Sequence, residues 1–221
     1  MPQPRTAPSA PTGTHAAAAL RRPAAVATFL LVAAAGLAAD LWTKHAVFQS
    51  LLSQPAVIAR GRALAPLARS TPPDQLLHEL NASRTLADGV KLTLSTNPGV
   101  VFGLPMARWA VALATLATIA LVGCFFATSA AGAWGVHVAL ALVLAGALGN
   151  LYDRMFSVVP IPGTGAAVRG QVRDFIDCAA LGYPWVFNVA DVLLVVGVAV
   201  LLVHWWRGGR RAGGRDRAAA M

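Results

Sequence analysis

Four long apolar runs decide most of what this chain can become. They fall at about residues 24–42, 106–127, 131–151 and 185–206. Each is near the ~20 residues an α-helix needs to cross the hydrocarbon core of a bilayer. In lipid every backbone polar group has to be satisfied within the segment, which makes helices the natural spanning element. Composition agrees: only 12% of residues are charged, against about 25% in a soluble domain. The expectation is an all-α integral membrane protein with four transmembrane helices. A signal peptide is the competing reading of the first run. That run is longer than a usual apolar core and ends in Asp40-Leu41-Trp42-Thr43-Lys44 rather than in a loop, so it is expected to be a retained span.

The formal net charge of +9 would suit a nucleic-acid partner. The basic residues, however, concentrate at the termini and in one loop, with no basic helix interleaved with aromatics. No nucleic acid is expected. Arginines beside spans set topology instead. Arg21 and Arg22 precede the first span, and Arg207, Arg210, Arg211, Arg215 and Arg217 follow the fourth. An even number of spans puts both ends on one side, the cytoplasmic one. The chain then divides into a disordered cytoplasmic tail (1–22, rich in Pro, Ala and Thr), a membrane domain (23–206) and a basic cytoplasmic tail (207–221). Residues 43–106 and 152–184 face outward. In the first of these, a helix is expected over Asp74–Leu80, after the Pro72-Pro73 break. The alternation of Val90, Leu92 and Leu94 predicts a strand over Val90–Thr96. A small extracytoplasmic β element is therefore expected. Residues 160–165, rich in Pro and Gly, read as loose. Cys124 reads as a buried inert thiol and Cys178 as a loop residue, with a disulfide between them possible but unsupported.

Chemistry-bearing residues gather at the span ends. Asp174 and Asp191 border strongly apolar sequence, and from Val192 to Trp206 only His204 is ionisable. A carboxylate at a membrane helix end is costly and marks a functional site. Two that meet can share a proton and activate water. Asp177 lies three residues from Asp174, and spacing alone does not choose between them. Asp40 and Lys44 share a helix face. They form either an interfacial ion pair, the lysine snorkelling to water, or a site-shaping element. Asn97-Pro98-Gly99 reads as a turn, or as one whose amide meets a substrate backbone. Asn150, Asp153 and Arg154 share a face at the end of span three. Asp153 fits a helix-end ion cluster, while Asn150 and Arg154 are candidates for substrate contact. Asn188 and Asp191 open span four, with Asn188 a cap or a substrate ligand.

Taken together, Asp40-x-x-Thr43-Lys44, Asn97-x-Gly99-x-x-Phe102, Gly149-Asn150-Leu151-Tyr152-Asp153-Arg154, Val172-x-Asp174-Phe175 and Phe187-Asn188-x-Ala190-Asp191 resemble the lipoprotein signal peptidase (signal peptidase II) family over about residues 24–206. The resemblance implies a bacterial inner-membrane aspartic endopeptidase. It would cleave prolipoproteins before a diacylglyceryl-modified cysteine, with no cofactor or metal and with its active site at the outer face. It implies Asp174 and Asp191 as the catalytic pair, and Asn97, Asn150, Arg154 and Asn188 as substrate-binding residues. Asp40, Lys44 and Asp153 would shape the site. A monomer in contact with membrane lipid is expected. A proton-coupled small transporter is the alternative; acidic residues at span ends rather than mid-membrane argue against it, as does the lack of an internal repeat. A non-enzymatic assembly factor would not need two convergent aspartates.

The chain departs from the family in three places: a longer stretch from Lys44 to Asn97, a longer stretch from Arg154 to Asp174, and Arg173 where an apolar residue is usual. Arg173 is expected to turn toward water or lipid headgroups and to leave the dyad's acidity alone.

Overall fold

The computed structural model describes residues 18–101, 104–105 and 107–219. Most of the tail expected to be disordered, together with Phe102 and Met106, lies outside them. In chain order the elements are α1 (Pro23–Leu52), α2 (Pro55–Leu64), α3 (Pro73–Glu79), β1 (Ser83–Ala87), β2 (Val90–Asn97), β3 (Val100–Val101), β4 (Leu104–Pro105), α4 (Arg108–Thr128), α5 (Trp134–Phe156), β5 (Val158–Pro160), β6 (Ala167–Arg169), β7 (Val172–Cys178), β8 (Tyr183–Phe187) and α6 (Val189–Ala219). Helices dominate. Four of them, α1, α4, α5 and α6, are long and apolar enough to cross a membrane.

The β part is antiparallel, with a four-stranded sheet in the order β1-β2-β7-β8 and two short hairpins, β3-β4 and β5-β6. Strand β2 and helix α3 form where the alternation and the Pro72-Pro73 break put them. Four boundaries differ from the sequence reading. Helix α5 runs Trp134–Phe156, where the apolar run suggests about 131–151. Helix α1 runs through Lys44 to Leu52, because Phe48 and Leu51 continue its buried stripe beyond the membrane-length apolar run. Residues 185–187 belong to β8 and not to the fourth span. Their apolar character serves a sheet edge, and α6 starts only after the Asn188 cap. The C-terminal basic segment stays helical to Ala219.

Both cysteines are free. Cys124 is exposed on the apolar surface of α4 rather than buried, and Cys178 ends β7 rather than lying in a loop.

Helix α5 is the hub of the bundle. Its small residues let neighbours approach closely, the usual device for helix packing in lipid. A Cβ on Gly146 would collide with the Ala190 carbonyl of α6, and one on Gly149 would strike Asp40 Oδ2 of α1. Two apolar clusters flank the middle of the molecule. One, around Phe29, Phe126 and Leu140, lies within the bundle. The other joins Phe48 and Leu51 of α1 to Leu76, Leu94, Val159, Val168 and Phe175 under the sheet. Strand β7 and the first turn of α6 enter the polar layer between them.

Candidate active site

The polar layer is built on the start of α6. Asn188 is its N-cap residue, and Asn188 and Asp191 cap each other. The Asp191 N–H donates to Asn188 Oδ1 at 3.1 Å, and the Asn188 N–H donates to Asp191 Oδ2 at 3.1 Å. This reciprocal arrangement satisfies donors that a helix start leaves open. The next open donor, Ala190 N–H, is taken by Asp40 Oδ1 of α1 at 2.8 Å. Two carboxylates thus sit at the positive end of the α6 dipole.

Asp174 reaches the same place from β7. The side-chain amide of Asn188 donates to Asp174 Oδ1 at 2.6 Å and to Asn150 Oδ1 at 3.1 Å. Asn150 in turn donates to Asp191 Oδ1 at 2.9 Å. Asn188 therefore touches both carboxylates, and Asn150 closes the ring. Asn188 is completely buried, so its two amide hydrogens are spent on holding the pair together. Asp174 is buried too, at 5% exposure. That burial, reinforced by the nearby charge of Asp191, pushes its carboxyl up to about 7. The Asn188 hydrogen bond and the charges of Lys44 and Arg154 pull the other way. Near neutral pH one of the two carboxyls carries a proton.

A second layer supports the first. Lys44 is fully buried and does not snorkel to water. Its ammonium donates to Asn150 Oδ1 at 3.0 Å and forms ion pairs with Asp40 Oδ2 at 2.8 Å and Asp153 Oδ2 at 3.2 Å. Asp153, also fully buried, receives Arg173 as well. The guanidinium donates to Asp153 Oδ1 from Nη2 at 2.6 Å and from Nε at 3.0 Å, and the Arg173 backbone N–H donates to Oδ2 at 3.0 Å. The expectation that Arg173 points to water or headgroups is corrected: its side chain is only 14% exposed. Alternation along β7 turns it away from Asp174, and the face it turns to holds a buried carboxylate that Lys44 serves only in part.

The structure thus brings together Asp174, Asp191, Asn150, Asn188, Asp40, Lys44 and Asp153. Arg154 donates to the Asn150 carbonyl at 3.2 Å, and its other donors have no hydrogen-bond partner among the described residues. It lines a narrow cleft of about 250 Å³ beside Asn150, between α4, α5 and α6. Asn97 stands apart. Its Oδ1 accepts the Gly99 N–H at 2.8 Å in a tight turn, and it lies two places along β2 from Ser95, the register partner of Asp174. Asp177 is held away from the site by its bond to the Ala179 N–H at 2.9 Å. Among the described residues no group of His, Cys, Asp and Glu is placed to hold a metal ion. Sequence reasoning missed the Arg173–Asp153 clamp and the Asp40 cap on α6. The alternation of Val172-Arg173-Asp174 carried the signal for the first; nothing local carries the second.

The chain resembles known proteins in both sequence and fold. The family model described as signal peptidase (SPase) II matches residues 32–207. The chain is 35% identical over 130 residues to a lipoprotein signal peptidase of Caulobacter vibrioides, covering 57% of this chain and 69% of that one. It is 36% identical over 121 residues to one from Desulfitobacterium hafniense, covering 53% and 70%. A solved bacterial membrane enzyme shares the fold with a TM-score of 0.57 at 22% identity, over 82% of this chain and 89% of that one.

Proposed function

The chain belongs to the signal peptidase II family, and on that premise we propose that Asp174 and Asp191 are the carboxylates with which it removes signal peptides from prolipoproteins. The observation that carries the assignment is Asn188, a fully buried amide that binds Asp174 with its side chain and Asp191 with its backbone.

The surroundings divide the roles. Asp191 accepts two hydrogen bonds at the start of α6, from Asn150 and from the Asn188 N–H. It acts as general base on water. Asp174, buried and holding its proton up to about pH 7, donates to the scissile carbonyl oxygen as the water oxygen attacks. The proton taken by Asp191 then passes to the departing amine, a gem-diol hydroxyl returns its proton to Asp174, and the C–N bond breaks to leave the amine and the carboxylic acid with both aspartates as they began. Asn150 and Asn188 hold the two carboxylates in place. Arg154, with donors open among the described residues, and Asn97, on the strand paired to β7, are the substrate contacts.

The site belongs at the outer membrane interface, with the sheet outside and both termini in the cytoplasm. The arginines just before α1 and in the last turns of α6 favour this sense. Exposed Trp42, Trp109, Tyr183 and Trp185 at the site's end, and Trp134, Trp205 and Trp206 at the other, are the aromatic belts expected at two interfaces. There the lipid chains of a diacylglyceryl-modified substrate stay in the bilayer while water reaches the peptide bond. The test is cleavage of a diacylglyceryl-modified prolipoprotein by the purified protein in detergent, with and without a chelator. Equal release of the signal peptide in both is expected; cleavage abolished by the chelator and restored by a metal would overturn the carboxylate mechanism.

A further inference from the structure

We propose that the cleft between the start of α4 and the end of α5 binds the phosphate headgroup of an anionic glycerophospholipid, separate from the substrate. The cleft measures about 490 Å³ and is lined by Pro98, Trp109, Arg154, Met155, Phe156 and Arg169 among others, with no carboxylate among the described residues of its walls. Arg169 reaches it from the β5-β6 hairpin and Arg154 from the last turns of α5. Arg154 and Arg169 both line this one space, and two arginines that keep donors beyond their protein partners suit a phosphate, through charge-assisted hydrogen bonds.

The apolar half of the cleft says which kind of phosphate. Trp109, Met155 and Phe156 are 69%, 63% and 65% exposed. They stand at the ends of two spans, the depth at which glycerol and the first acyl carbons lie and where tryptophan is enriched. A soluble phosphate has no use for those side chains, whereas a phospholipid covers them. The occupant is also distinct from the diacylglyceryl group of a prolipoprotein, which bears no phosphate. Arg154 lines both this cleft and the narrower one beside Asn150, so a lipid bound here orients the same guanidinium that faces the dyad.

The test places the full-length protein in nanodiscs of equimolar phosphatidylglycerol and phosphatidylcholine, releases it into mild detergent and counts retained lipids by native mass spectrometry. Selective retention of phosphatidylglycerol is expected. Arg169→Gln should lower that retention by about fivefold, the effect of removing one basic group from an anionic lipid surface; Arg169→Lys should keep most of it. Equal retention of the two lipids by the unaltered protein would overturn the proposal without recourse to any variant. So would unchanged retention in Arg169→Gln, or displacement of the lipid by inorganic phosphate alone at matched concentration.

Discussion

Asp174 concentrates the conflict on which the site runs. The same burial that raises its carboxyl to about 7 makes it an acid at neutral pH and a liability to the fold. The folded chain holds this proton up to about pH 7, while an unfolded one releases it near pH ~3.9. Between those values the folded state binds more protons, so the contribution of this group to stability falls as pH rises from about 4 to about 7. Above pH 7 the cost is fully present. Asp174→Asn, which keeps the shape and an acceptor for Asn188, should therefore be more thermostable than the parent at pH 8, by up to a few kcal/mol, and gain much less at pH 5. Thermal unfolding in detergent at the two pH values checks this. Activity should decline on the alkaline side through about pH 7 as the proton is lost. Arg173 acts one step away. Arg173→Val strips a bidentate partner from buried Asp153, and leaving a buried charge without its partner typically costs about 3–5 kcal/mol. Lys44 still meets Asp153, so a loss at the lower end is expected. Arg173→Lys should recover part of it, as read by the same unfolding assay.

At the scale of elements, the site depends on how closely α1, α5 and α6 meet. Gly149 allows it. Gly149→Ala puts a methyl group against Asp40 Oδ2, the atom paired with Lys44. Overpacking of this kind costs about 1–3 kcal/mol, and here it also pushes on the caps of α6. The variant should lose both thermal stability and most of its cleavage rate; Gly132→Ala, where a Cβ meets open space, should lose neither. Elements were legible in the sequence where a single period ruled. The apolar runs of α4, α5 and α6 and the alternation of β2 belong to that kind. They were obscured where two jobs overlapped. Tyr183-Pro184-Trp185-Val186-Phe187 is apolar like the span after it, so the strand β8 hid in the run. Helix α1 outlasts its membrane-length run because the sheet, not lipid, buries Phe48 and Leu51. The dyad and its asparagines were visible as motifs at the ends of runs. The clamp of Arg173 on Asp153 was not, because it needs the register of β7 against the end of α5, a distance that no local pattern encodes.

The whole molecule is a membrane bundle with a sheet attached at one end, and the polar layer that holds the proposed site lies where the two meet. Its orientation is tested by reporters. Fusions after Arg217 should be cytoplasmic, and insertions at Thr164, in the turn of the β5-β6 hairpin, should be reached by reagents from outside; an externally accessible C-terminus would reverse the assignment. The central claim is that two carboxylates, joined by one buried asparagine, do the chemistry. Its most direct test is the rate of prolipoprotein cleavage by purified Asp174→Asn, Asp191→Asn and Asp177→Asn, each checked for an intact thermal transition. Since the pair acts as a unit, either of the first two changes should cost several orders of magnitude in rate, while Asp177→Asn should cleave at close to the parent rate. A folded Asp174→Asn or Asp191→Asn protein that still cleaves at a comparable rate, or an inactive Asp177→Asn, would contradict the account.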